Sequence, residues 1–371
     1  MRSFMIRFTI LFSILFFLFP TVGQSIEKVQ VSANNAVLIE ESTGRILFEK
    51  QAHEKRPVAS ITKLMTAIIA IEQGKLEDIV VPSDRAIHME GSSIYLQKSE
   101  KMSLEDLLYG LMLRSGNDAA VAIAEHIAGS VEGFVFLMNE KASYLGMTNT
   151  HFANPHGLDE DGHYSSAYDI AILMKYAMDN DVFKEIASTE HYQSDNRTYQ
   201  WQNKNKLLTQ LYNYCTGGKT GFTNKAGRTL VASAQKESLS LIAVTLDAPD
   251  DWNDHIHLFE QAFKEYDLVI LEKEGKRTFV SEEKFISGFI KDEVIVPLKK
   301  EEKENVRKQA ILKQISTDTS TSETEIGSIS YYLSEEEIAK IPVYDAETKK
   351  RTFLDELFRV IGKFLRYDYN G

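Results

Sequence analysis

Residues 59–73 read ASITKLMTAIIAIEQ, and this stretch decides the fold. Leu64, Met65, Ala67, Ile68, Ile69 and Ile71 are apolar at helical spacing and predict a helix ending near Gln73. Upstream, AVLIE (36–40) and RILFEK (45–50) flank the turn-like ESTG, the pattern of a β-hairpin. Downstream, helical periodicity recurs at Leu104–Leu113, Asp118–Ala128, Gly133–Tyr144 and Ala167–Met178. Strand-like sequence returns around Lys219, at Arg228–Ala234 and at Leu239–Leu246 about the turn-like KES, and Asp254–Tyr266 reads as a closing helix. Strands at both ends of a helical insertion predict one α+β domain over residues 26–268.

The rest of the chain differs in texture. Residues 269–345 carry short β-like runs (RTFVSEEKF, EVIVPL, GSISYYL, IPVYD) and predict a small β-rich domain. Between those runs, LKKEEKENVRK (298–308) reads as a solvated charged face and STDTSTSETE (316–325) as an exposed loop. In residues 346–371, Phe353, Leu354, Leu357, Phe358, Ile361, Phe364 and Leu365 form one stripe, with Asp355, Glu356, Arg359, Lys363 and Arg366 opposite. This predicts an amphipathic helix lying in a membrane interface.

Residues 1–25 place Arg2 and Arg7 before the apolar run Phe8–Phe19, followed by small residues, and read as a secretory signal peptide. At 1.5 Å per residue that run rises only about 18 Å, against a hydrocarbon core of roughly 30 Å. The working compartment is therefore expected to be outside the cytoplasm, on the outer face of the membrane. The 371 residues carry 42 basic and 54 acidic side chains, a net charge of −12 that becomes −14 without residues 1–25. An acidic chain without a basic stripe argues against nucleic acid as a partner. A single cysteine, Cys215, excludes an internal disulfide framework and a Cys-Cys zinc site.

The chemistry centres on Ser60 and Lys63. A serine hydroxyl needs a base to become a nucleophile, and residues three apart share a helical face, so the Lys63 amine can reach Ser60. At pH 7 only about one ordinary lysine in 10³ is a free base, and lowering its pKa to about 7 takes roughly 4.6 kcal/mol. Burial near a second cation supplies such a shift. Lys219, in Gly218-Lys219-Thr220-Gly221, offers that cation, and with Thr220 it suits a substrate carboxylate on an edge strand. Ser115-Gly116-Asn117, between two apolar helical runs, places a hydroxyl and an amide to bridge the two lysines; capping alone would also explain Ser115. Ser25–Lys28 and Ser281–Lys284 repeat the Ser-x-x-Lys pattern, and Ser32–Asn34 and Ser194–Asn196 repeat Ser-x-Asn, but none of these borders an apolar helix.

Taken in order, Ser60-x-x-Lys63, Ser115-Gly116-Asn117 and Lys219-Thr220-Gly221 resemble the penicillin-recognising serine enzymes. More specifically, ASITKLMTA, GSSIYL, LLYGLMLRSGNDAA, ANPHGLD and TGGKTGFT resemble the low-molecular-mass penicillin-binding D-alanyl-D-alanine carboxypeptidases over residues 35–265. Within that family LMLRSGNDAAVAIAEH is most similar to the sporulation-specific members that trim spore-cortex peptidoglycan. The resemblance implies a β-lactamase/transpeptidase-like fold without metal or cofactor. It also implies a peptidoglycan stem peptide ending in D-Ala-D-Ala as substrate and β-lactams as covalent inhibitors. It makes Ser60 the nucleophile, Lys63 the proton acceptor and Ser115 a relay, with Asn117 holding Lys63 and the substrate amide. Lys219 and Thr220 would take the carboxylate, and the oxyanion would lie between the N–H groups of Ser60 and Phe222.

Two departures stand out. TLDAPDDWND (245–254) lacks the arginine that some relatives use for the carboxylate, and Phe222 stands where relatives often carry a polar residue. A β-lactamase shares all three motifs, but NPHGLDEDGHYS (154–165) lacks the Glu-x-x-x-Asn pattern of rapid deacylation. A non-catalytic penicillin sensor is the alternative of another class. His156 reads as a loop residue, Cys215, Trp201 and Trp252 as packing residues, and His255 with His257 lacks zinc-site spacing.

Overall fold

In a computed structural model, residues 29–281, 284–312 and 324–345 are described. The expected signal peptide, most of the 316–325 loop and the C-terminal amphipathic helix lie outside them.

The first domain is built on a five-stranded antiparallel sheet. Strands β1 (Asn35–Glu40) and β2 (Ile46–Lys50) form the expected hairpin. Helices α1 (Lys63–Gln73), α2 (Leu104–Arg114), α3 (Asn117–Ala128), α4 (Val131–Tyr144), α5 (Ala167–Met178) and α6 (Asp181–Ser188) follow. Strands β3 (Cys215–Thr223), β4 (Gly227–Lys236) and β5 (Leu239–Leu246) complete the sheet in the order β2-β1-β5-β4-β3. Leu38 lies opposite Ala243, so the two ends of the domain meet at the sheet centre, and β3 is left on an edge. Helix α7 (Asp251–Glu265) packs on the sheet through Leu258 and Phe259, and its His255 meets Thr245 at 3.1 Å.

The helical lobe is held by burial. In α1, Leu64, Met65, Ile68 and Ile69 are all buried, each contributing about 1.5–3 kcal/mol relative to exposure. Ser103, Ser130 and Ser166 cap α2, α4 and α5, each accepting a backbone N–H three residues on. Helix α6 has no counterpart in the sequence reading. It is short, capped by Asn180, and buries only Phe183, Ile186 and Ala187, too brief a pattern for periodicity to register. The closing helix also starts three residues earlier than expected, at Asp251.

The second domain follows directly from α7. Strand β6 (Tyr266–Glu272) pairs with β9 (Val294–Lys299). A separate sheet runs in the order β7-β8-β12-β11-β10, with β7 (Gly275–Ser281), β8 (Lys284–Ile290), β10 (Val306–Leu312), β11 (Glu325–Leu333) and β12 (Glu336–Asp345). Ile290, Val296, Leu298, Ile329 and Val343 fill its core. The charged run 298–308 is more than a solvated face. Glu302 binds Arg45 of the first domain at 3.0 Å, Lys299 binds Glu265 at 2.7 Å and Lys303 binds Asp267 at 3.0 Å, while Lys308 joins the buried carboxylate of Glu272. Opposite charges on β6 and at the domain junction engage side chains that charge density alone would send into water.

Candidate active site

Ser60 lies in a single 3₁₀ turn, Ala59–Thr62, ahead of α1 rather than within the regular helix. Ala59 adopts φ +50, a left-handed conformation that costs a non-glycine residue roughly 1–2 kcal/mol. The chain is thereby turned so that the half-buried Ser60 sits at the mouth of the site and Lys63, one turn on, is wholly enclosed.

The Lys63 amine has three partners. Its Nζ lies 3.0 Å from Ser60 Oγ, 2.7 Å from Asn117 Oδ1 and 2.5 Å from the His156 carbonyl oxygen. The last two can only accept. A neutral amine has two N–H donors and one lone pair, so donation to Asn117 and His156 leaves the lone pair for the Ser60 hydroxyl proton. Burial above all, then the Lys219 and Lys204 ammonium groups, hold Lys63 well below the ordinary lysine range.

Asn117 is itself fixed. Its Nδ2 donates to the Glu90 carbonyl at 2.7 Å and its backbone N–H to the Ser92 carbonyl at 2.7 Å. Ser115 caps α2 with φ +64, two residues before Asn117, and its buried Oγ has no hydrogen-bond partner among the described residues, so the hydroxyl is left available. Asp118, buried next to Asn117, accepts from Ser93 Oγ at 2.6 Å and from the N–H groups of Ile94 and Leu96 at 3.1 Å each. It pins the loop whose carbonyls orient Asn117. Asp118→Asn is expected to lower stability by about 1.5–3 kcal/mol, because an amide oxygen replaces a charged acceptor; thermal unfolding of the two proteins checks this.

Edge strand β3 lies directly against the serine. A Cβ placed on Gly221 would stand 2.8 Å from Ser60 N and 2.4 Å from Thr229 Oγ1, so only glycine permits this approach. Lys219, one pleat earlier on the same face, is buried, and burial followed by the Lys204 charge pushes it down to about 7. Thr220 is half-buried and Phe222 exposed.

Ser60, Lys63 and Asn117 are thus joined by hydrogen bonds, Gly221 packs on Ser60 and the Lys219 charge bears on Lys63, while Ser115, Thr220 and Phe222 sit on the segments that carry these residues. Lys204 was not anticipated. Its amine donates to Ser92 Oγ at 3.1 Å, its backbone N–H to the Leu113 carbonyl at 3.2 Å, and its charge bears on both lysines. One of two lysines in the polar stretch WQNKNKLL, it gives no signal by pattern. The His156 carbonyl was equally hidden, although its loop role was expected: Asn154 Oδ1 accepts from the N–H groups of His156 and Gly157 at 3.3 and 2.7 Å. Cys215 is a strand residue whose thiol burial pushes up to about 12. Trp201 is buried, and the Trp252 ring lies under Arg228 at 5.5 Å.

Comparison with known proteins gives concordant results. Residues 22–250 match the family model described as D-alanyl-D-alanine carboxypeptidase, and residues 269–351 match the penicillin-binding protein 5 C-terminal domain. The chain is 35% identical over 363 residues to D-alanyl-D-alanine carboxypeptidase DacF of Bacillus subtilis, covering 93% of each chain. It is 36% identical over 272 residues to DacC of Escherichia coli, covering 69% of this chain and 68% of that one. Among solved structures, penicillin-binding protein 5 from Haemophilus influenzae superposes with TM-score 0.73 at 27% identity, over 85% of this chain and 97% of that one.

Proposed function

This chain belongs to the D-alanyl-D-alanine carboxypeptidase family, and from that premise we propose that Ser60 is the nucleophile of a serine-type hydrolase acting on D-Ala-D-Ala termini of peptidoglycan. The observation that carries the assignment is the environment of Lys63: its amine touches two pure acceptors, Asn117 Oδ1 and the His156 carbonyl, and the Ser60 hydroxyl, so that in its neutral form the lone pair is left for Ser60.

In the proposed reaction Lys63 accepts the hydroxyl proton as Ser60 Oγ bonds to the penultimate D-Ala carbonyl carbon. The negative charge on the carbonyl oxygen is met by the N–H groups of Ser60 and Phe222, one such donor being worth about 2.7–4 kcal/mol. The C–N bond breaks as the terminal D-Ala nitrogen takes a proton through Ser115, and water then cleaves the ester to restore Ser60. Asn117 holds Lys63 and the substrate amide, while Lys219, Thr220 and Gly221 seat the terminal carboxylate and the backbone beside it. A β-lactam presents the same carbonyl and carboxylate but keeps its leaving group tethered, and so persists as an ester on Ser60.

The test is release of D-Ala from diacetyl-L-Lys-D-Ala-D-Ala by the purified protein, beside turnover of benzylpenicillin. Release of D-Ala with slow penicillin hydrolysis is expected. Penicillin turnover at many per second would establish a β-lactamase instead, and acylation without D-Ala release a sensor.

The place of action is also a proposal. We infer secretion through residues 1–25 and attachment to the outer face of the membrane through the amphipathic stripe of Thr352–Tyr367. Among the described residues no single helix is long and apolar enough to cross a membrane. Truncation before Thr352 is expected to release the protein from membranes with activity on soluble peptide intact; fractionation and the D-Ala assay check this, and retention on membranes would contradict it. A role in spore cortex is supported by the similarity of LMLRSGNDAAVAIAEH to sporulation-specific members, and muropeptide profiles of cortex from a strain lacking the protein test it.

A further inference from the structure

We propose that the Phe222 side chain selects the residue that leaves, admitting a small apolar D-residue and disfavouring a longer or charged one. This rests on the reading of Thr220 and Lys219 as the carboxylate site.

The strand pleat sets the geometry. Lys219 and Gly221 face the helical lobe, the first buried and the second packed over Ser60 N. Thr220 and Phe222 therefore share the opposite face, since side chains alternate along a strand. Phe222 is 64% exposed on the edge of the sheet. Edge strands are ordinarily blunted by charge, whereas here an apolar ring stands one pleat from a hydroxyl proposed to hold an anion. Arg228, opposite Phe222 in the register, is engaged by Asp251 and lies over Trp252, so its charge is turned to other partners. The strand end is also tied down: Thr223 Oγ1 donates to Asp159 Oδ1 at 2.8 Å.

A substrate held in the proposed manner, with its carbonyl oxygen near the Phe222 N–H and its carboxylate at Thr220, lays its last residue along Thr220–Phe222. The side chain of that residue then meets the Phe222 ring. A methyl group makes an apolar contact there. A carboxylate or ammonium finds no hydrogen-bond partner on the ring and gives up the part of its hydration that the ring covers, which disfavours it.

The experiment compares full-length wild type, Phe222→Ala and Phe222→Leu on diacetyl-L-Lys-D-Ala-D-Ala and on the analogue ending in D-Glu. Both variants keep the backbone N–H, and penicillin acylation reports that each is folded. The ratio of kcat/KM for D-Ala over D-Glu is expected to fall about tenfold in Phe222→Ala, with Phe222→Leu intermediate, in line with the discrimination available to an apolar contact. If Phe222→Ala is not acylated, Phe222→Leu decides. A ratio within about twofold of wild type in every folded variant would overturn the proposal while leaving the carboxypeptidase reading intact. Failure of the wild type to release D-Ala would overturn both.

Discussion

Ser60→Ala is expected to lower D-Ala release by about 10⁴–10⁶-fold, the scale on which serine hydrolases lose their nucleophile. The loss should appear in kcat rather than KM, because Lys219, Thr220 and Asn117 still receive the peptide. The fold should survive, since Ser60 is only half-buried and its removal leaves Lys63 with two acceptors, Asn117 and His156. Single-turnover kinetics and a thermal melt separate these outcomes. A variant with equal activity would remove Ser60 from the reaction, and an unfolded one would make it structural.

The second large effect concerns Lys219. Burial pushes its amine from the ordinary 10.5 down to about 7, so the protonated form proposed to hold the substrate carboxylate is lost above neutrality. Lys63, also depressed, must be neutral to accept a proton from Ser60. The kcat/KM profile of the wild type should accordingly fall on the acid side as Lys63 gains its proton and on the alkaline side above about 7 as free Lys219 loses its own. Lys219→Gln should lower kcat/KM for the peptide by about 10²–10³ and abolish the alkaline fall.

Stability should move the other way. Between about 7 and 10.5 the unfolded chain carries a proton at Lys219 that the folded chain has released, so wild-type stability rises with pH across that window. The penalty of burying the ammonium is full below about 7, and glutamine does not incur it. The variant should therefore melt higher than wild type at pH 6, with the gap closing toward pH 10. A variant less stable than wild type throughout would contradict this account of Lys219.

The sequence was most legible where chemistry and periodicity coincide. Ser60 and Lys63 share one turn at the head of a long apolar helix, and Ser115 and Asn117 fall between two more, so spacing alone placed them on buried elements. The strand around Lys219 was readable from its glycines, and the edge position of β3 agrees with that reading. What escaped was whatever depends on non-local approach. Lys204 looks like any lysine until the chain from Ser92 passes over it. The His156 acceptor is a backbone atom and leaves no trace in residue type. The left-handed Ala59 is imposed by packing of the 3₁₀ turn against β3 rather than by any local preference of alanine. In the second domain the short runs gave strands but not their partners, which the order β7-β8-β12-β11-β10 joins across sequence gaps.

Peptide mapping by mass spectrometry after brief exposure to benzylpenicillin bears most directly on this chemistry. One penicilloyl group is expected, carried by the peptide that contains Ser60, and its formation should slow as the pH is lowered and Lys63 takes up a proton. Modification of a different residue, or an unmodified chain after acylating conditions at neutral pH, would contradict the assignment.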